Sequence, residues 1–192
     1  MPRSFLSSTV EGMGSHEVDE NPLFVLRADL PIACGPRALY DIVSDLPRSG
    51  GWSPECRGGE WVSGRPGEVG SVFRGLNHRA ADVVAWAPVV RGDWHTRAEV
   101  ITAEPGLSFR WSMLDSSGRG QDSVWAFDIA EAEGGSVLAH SFRMGAPTEG
   151  IRGITAGMDT AAEQRFFAEW AEKVRGDLAA TVARIKEIAE RP

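Results

Sequence analysis

Two cysteines, two lysines and one tyrosine are all that 192 residues contain of those types. Cys34 and Cys56 lie in neither a CxxC nor a zinc-type spacing, which excludes a disulfide framework and reads as two reduced thiols of a cytoplasmic protein. Of the 20 cationic residues, 18 are arginines and only Lys173 and Lys186 are lysines, and no basic cluster stands out. The net charge of -7 and pI near 5.1 argue against nucleic-acid and anionic-membrane partners. No apolar run approaches the ~20 residues of a membrane span, and the first residues lack the apolar core of a secretion signal. There is no GxSxG, HExxH, Walker or dinucleotide-binding pattern. Hydrolase, metalloenzyme and nicotinamide readings therefore fall, and neither metal nor cofactor is expected.

What is present is a regular order of elements. Residues 1–20 have no sustained periodicity and read as a disordered tail ahead of one domain over 21–190. Leu23–Ile32 has strand composition. Pro36 suits a first helical position, and Leu39, Ile42, Val43 and Leu46 follow at helical spacing. From Cys56 to Met144 six strands alternate with turn signals. In the fifth strand, counting Leu23–Ile32 as the first, Leu107, Phe109, Trp111 and Met113 share a face. In the sixth Trp125, Phe127 and Ile129 do so, and in the seventh Leu138, His140, Phe142 and Met144. The segment 146–159, rich in glycine, reads as a mobile connection. Thr160 and Glu163 fit a capping box, and Phe167, Trp170, Val174, Leu178, Val182, Ile185 and Ala189 then form one helical stripe. A seven-stranded antiparallel sheet with one long helix has a simple α+β solution. The sheet curls around the terminal helix and leaves room between its aromatic face and that helix.

The stretch Phe73–Arg79, FRGLNHR, puts Asn77, His78 and Arg79 in a strand. Alternation sends some of these toward the enclosed face, to meet either a buried partner or a ligand. Pairing the hairpin about its midpoint sets His95 opposite Asn77 on the same face, as a candidate general base; the competing reading is a surface histidine beside Arg97. His140 sits between Leu138 and Phe142, either orienting a ligand or acting in acid–base chemistry, or bonded to a backbone carbonyl. No paired acid–base motif accompanies either histidine.

Asp45, Trp52-Ser53-Pro54-Glu55, Gly70-x-x-Phe73-x-Gly75-x-Asn77, Trp94 with Val100, Glu104-Pro105-Gly106, Trp125 and Gly134-Gly135 occur in this order. In that order they resemble the polyketide cyclase/dehydrase-like branch of the START and Bet v 1-like superfamily, over roughly residues 23–189. The resemblance implies the helix-grip fold with an apolar cavity. It also implies a hydrophobic small molecule as partner, polyketide-like or otherwise polycyclic. Members of this kind include cyclases, carriers and antibiotic-resistance proteins, some consumed by an enediyne. As in such a cavity, Phe73, Asn77, Trp111, Trp125, His140, Phe142, Phe166, Phe167 and Trp170 are the expected ligand-binding residues. Catalysis, if any, falls to His95 or His140. A monomer or homodimer is expected. The segment 78–93 is longer than close relatives suggest, and its Val83, Val84, Trp86, Val89 and Val90 are too apolar for a bare loop. It either covers the cavity mouth or forms a self-association surface.

Overall fold

The computed structural model describes residues 22–191, so the expected N-terminal tail lies outside the described residues. Seven strands form one antiparallel sheet in the order β1-β7-β6-β5-β4-β3-β2. They are β1 (Phe24–Ile32), β2 (Cys56–Ser63), β3 (Val72–Arg79), β4 (Gly92–Glu104), β5 (Ser108–Leu114), β6 (Gly120–Ala132) and β7 (Gly135–Met144). Strands β2 to β7 each pair with the next in sequence, the short local connection that antiparallel strands permit. Only β1 departs, crossing back to pair with β7 from Phe24 opposite Met144 to Ile32 opposite Ser136. Helix α1 (Pro36–Ser44) and a 3₁₀ segment (Leu46–Gly51) bridge the two edges, β1 and β2.

The long helix α3 (Thr160–Ala189) lies against β1 and β7 and inside the curl of the sheet. Together these elements make the α+β helix-grip fold. The far end of α3 is fastened by its own polar groups. Lys186 Nζ donates to the Pro31 carbonyl at 2.9 Å, and Glu190 accepts the Ala33 amide at 2.7 Å. Its beginning differs from expectation by one residue. Asp159, not Thr160, is the cap, and its carboxylate accepts from the Ala162 amide at 2.8 Å. The buried stripe likewise begins at Phe166 rather than Phe167 and runs through Trp170, Val174, Leu178, Val182 and Ile185.

The segment expected to be a mobile connection contains a helix, α2 (Glu149–Thr155). Thr148 caps it by accepting the Ile151 amide, which satisfies a donor that the glycine-rich composition concealed. Leu107 stands in the turn before β5 and is exposed, so the inward row of that strand starts at Phe109.

Two packed clusters result. One gathers Leu39, Val43, Phe109, Phe127, Leu138 and Ile185 beneath α1. The other gathers Phe142, Met144, Phe166, Val174 and Leu178 with Ala87 and Val89 from the β3–β4 connection. That connection is thus packed into the domain. Arg91 holds its loop by donating to the carbonyls of Ala81, Val84, Ala85, Ala87 and Val89. Trp86 Nε1 reaches Glu169 on α3 at 2.7 Å, with the Arg165 guanidinium over its ring.

Candidate functional site

Between the inner face of the sheet and α3 lies a cavity of about 730 Å³. That is within the ~300–1,000 Å³ typical of small-molecule sites. Strand register builds its aromatic wall. Because Phe109 pairs with Phe127 and Phe127 with His140, three flat rings stand in one row across β5, β6 and β7. Of these, His140 lines the cavity, while the two phenylalanines belong to the packed cluster beneath α1. Trp111, Trp125 and Phe142 make the next row by the same rule. Between β6 and β7 the paired rings stack: Phe127 on His140 at 4.1 Å and 15°, Trp125 on Phe142 at 4.2 Å and 27°.

His140 is bonded to the backbone, and it also lines the cavity. Its Nδ1 lies 3.0 Å from the Ala126 carbonyl, which can only accept, so Nδ1 carries the proton. Burial among rings lowers its pKa to about 4, against a small opposing pull from that carbonyl. At neutral pH the imidazole is uncharged, and its Nε2 offers a lone pair with no partner among the described residues. Such a group is a good hydrogen-bond acceptor and a weak base.

The opposite wall is charged. Alternation along β3 turns Phe73, Gly75, Asn77 and Arg79 inward and His78 outward, where it meets Asp93 at 2.6 Å. Asn77 donates to Thr96 Oγ1 at 3.0 Å. Arg79 donates Nε and Nη2 to the two oxygens of Glu55, at 2.8 and 3.2 Å, and Nη1 to the Val90 carbonyl at 3.1 Å. Its guanidinium is held between two indoles, 4.3 Å from the centre of Trp94 and 4.9 Å from that of Trp170. Lys173 of α3 bridges Glu55 at 2.6 Å and Asp177 at 2.5 Å. Burial would raise the Glu55 carboxyl, but the Arg79 hydrogen bond and the Lys173 and Arg79 charges outweigh it and hold it low. For Asp177 the balance is reversed. Burial prevails over Lys173, and its pKa is raised.

Of the residues expected at the site, Phe73, Asn77, Trp111, Trp125, His140, Phe142 and Trp170 line the cavity. Phe166 and Phe167 do not. Phe166 is fully buried in the second packed cluster, and Phe167 lies beside it, half-buried. His95 pairs with Leu76, while Trp94 pairs with Asn77. The register differs by one residue from the midpoint assumption, so His95 borders the cavity while its exposed side chain stands on the face of β4 opposite to that of Trp94. Sequence reasoning missed the Glu55–Arg79–Lys173–Asp177 cluster. A signal existed: Lys173 and Asp177 are one turn apart and border the apolar stripe at Trp170 and Val174. The segment 78–93 contributes Arg79 and Val90 to the cavity wall, and its Ala87 and Val89 join the packed cluster that holds Trp170.

No family model matches the chain, and no curated protein matches it. Solved structures do. A Polyketide_cyc-like protein, Cgl2372 from Corynebacterium glutamicum, is 26% identical over 86% of this chain and 91% of its own, with a TM-score of 0.59. The di-domain ARO/CYC protein BexL of the BE-7585A biosynthetic pathway is 16% identical over 88% of this chain, with a TM-score of 0.62. StfQ, a di-domain ARO/CYC protein of the steffimycin pathway, is 13% identical over 91%, also at 0.62. The chain spans about half the length of these two di-domain proteins, 51% and 53%. The fold is therefore that of polyketide cyclase-like proteins. Among the described residues no helix is long and apolar enough to cross a membrane.

Proposed function

We propose that the chain binds a hydrophobic, aromatic natural product of polyketide type inside this cavity, as a binding or self-resistance protein of bacterial secondary metabolism acting in the cytoplasm. The observation that carries the reading is the wall of Trp111, Trp125, His140 and Phe142 facing a cavity of about 730 Å³. Removing a flat apolar ligand from water contributes roughly 25 cal/mol per Å² of surface, before the costs of association. The similarity to ARO/CYC proteins of two biosynthetic pathways points to the same ligand class. Resistance would follow from sequestration. In a self-sacrificing form, a glycine Cα–H would pass its hydrogen to a carbon radical of a bound enediyne, leaving a backbone radical stabilised by both flanking amides.

A second reading, a cofactor-free polyketide cyclase or aromatase, draws on one observation. Asp177 lines the cavity, and burial raises its pKa above the ordinary carboxyl value, the direction that a general acid toward a ketone oxygen needs. His140 is the wrong strength for the matching base, and His95 is on the other face. Incubating the protein with a polyketide or an enediyne, followed by mass spectrometry of both partners, separates these outcomes. Intact protein with unchanged bound ligand supports binding. A cyclised product supports catalysis, and chain scission supports self-sacrifice. No retained aromatic compound of any kind defeats the proposal.

A further inference from the structure

The two edges of the sheet are not alike. The pairing of β2 with β3 is interrupted twice, and Gly58 near the start of β2 has a φ of 107°, which makes a bulged edge that resists a further strand. By contrast β1 pairs with β7 over nine residues without interruption, and its other edge has no strand partner among the described residues. The ladder shows which groups line that free edge. The Gly145 amide donates to the Asp122 carbonyl, so Arg143, Ser141 and Ala139 of β7 bond to β6, while Phe142, His140 and Leu138 bond to β1. Their partners Leu26, Ala28 and Leu30 are therefore spent on β7, and the amides and carbonyls of Val25, Arg27 and Asp29 point away from the sheet. Pro31 ends this row, having no N–H and a carbonyl that already accepts from Lys186 Nζ at 2.9 Å.

The same residues turn their side chains to the outer face. Val25 is 59% exposed, Arg27 and Asp29 are each more than half exposed, and Pro31 is exposed. Along the strand the row reads apolar, cation, anion, apolar. Laid antiparallel against itself about Ala28, it sets Arg27 opposite Asp29 and Val25 opposite Pro31, each pair occurring twice. A centre on Arg27 or on Asp29 would instead oppose like charges, and a centre between two residues would put outer side chains against inner ones. We propose that β1 pairs with β1 of a second copy of this chain about a two-fold axis at Ala28, joining the two sheets into one. Within one copy Arg27 Nε lies 3.5 Å from Asp29. In the pair, the four charges of the two copies alternate in sign. A single strand pair buries less than the ~1,200 Å² of a standard interface, so the dimer is weak, with a dissociation constant on the order of 10 μM.

Sedimentation equilibrium of the full chain, at concentrations below and above that value, tests the proposal. Asp29→Arg opposes Arg27 of each copy with a second cation and should weaken the dimer about tenfold or more. Exchanging the two charges, Arg27→Asp with Asp29→Arg, restores opposite signs and should return the affinity to that of the natural chain. Both side chains are exposed, so neither variant disturbs the core. Amide exchange followed by NMR gives an independent readout. The Arg27 and Asp29 amides should be protected only where the dimer forms, and those of Leu26 and Ala28 at every concentration. A monomer at all concentrations overturns the proposal. So does a dimer indifferent to Asp29→Arg, or one that the charge exchange fails to restore, because its contact then lies elsewhere. Protection of the Arg27 and Asp29 amides in the dilute monomer overturns it as well, since the chain would then cover its own edge.

Discussion

The two ends of the cavity are held by opposite physics. The aromatic end, from Trp111 to Phe142, is built by strand register, which sets rings two residues apart along each strand beside their cross-strand neighbours and stacks those of β6 on those of β7. Each ring there can be trimmed or exchanged for another of like volume, because dispersion and area burial are graded quantities. The charged end, Glu55 with Arg79, Lys173 and Asp177, is all-or-none. Its four groups come from the segment before β2, from β3 and from α3, and each is tolerable in a half-dry site only because the others are present. A cavity wall can thus be adaptable at one end and brittle at the other.

The largest expected effect breaks the brittle end. Glu55→Ala leaves Arg79 and Lys173 buried without their shared carboxylate and should cost about 3 to 5 kcal/mol, read from urea unfolding. Replacing Glu55 and Arg79 together by leucine should cost less than Glu55→Ala alone, since no orphaned guanidinium remains. A double variant as unstable as the single one would mean that the cluster is held by packing and not by charge. By contrast His140→Phe, a near-isosteric change on the aromatic end, should cost less than about 1.5 kcal/mol at pH 7.

Acid sharpens the same contrast. His140 takes up a proton at about 4 when folded, against 6.5 for its ordinary value, so between those limits the unfolded chain binds the proton first. Stability should fall as pH drops through that window, by about 3 kcal/mol from this residue. Glu55, whose pKa is lowered, loses its contribution in the same direction as pH falls. Asp177, whose pKa is raised, acts oppositely and favours the folded state in acid. Unfolding midpoints measured from pH 7 to 4 should therefore decline less steeply in His140→Phe than in the natural chain. Parallel curves would remove the buried imidazole from the account.

How legible these features were in the sequence depended on the distance over which they are set. The strands, α1 and the stripe of α3 rest on local periodicity, and they were found within about three residues, the start of β5 being the largest miss. The stacked rows were half legible. Alternation named Trp125, Phe127, His140 and Phe142 as inward, but which ring meets which follows from register. The same uncertainty placed His95 on the wrong face, since one residue of slip in β4 reverses every side chain. Phe166 and Phe167 were assigned to the cavity because an apolar stripe does not reveal where packing ends and space begins. The charged cluster was least legible. Arg79 and Glu55 are 24 residues apart, and Lys173 is a further 94 along, so only the folded chain brings them together.

Next in size is the strap beside the charged end, which carries Val90 into the cavity wall. Trp86→Ala removes the hydrogen bond to Glu169 and the Arg165 guanidinium's aromatic surface, at a site 38% exposed, and should cost about 1 kcal/mol. The effect should be local. Proteolysis within residues 80–91 should quicken several-fold while the urea midpoint moves little. Equal acceleration of cleavage everywhere would mean the strap is part of the global unfolding unit.

The smallest expected effect is the most exacting test of the geometry. His95 and Trp94 are neighbours in β4, yet Trp94 stacks on Arg79 inside the cavity, while the His95 side chain is on the exposed outer face opposite Leu76. His95→Ala should therefore change stability by no more than about 0.5 kcal/mol and leave the affinity for an aromatic ligand where it was. Trp94→Ala, one residue away, should weaken both, because it strips one of the two indoles from a buried guanidinium. If the two substitutions exchanged their effects, β4 would be slipped by one residue in solution. Every inward assignment on that strand would then reverse, and with it the charged end of the cavity.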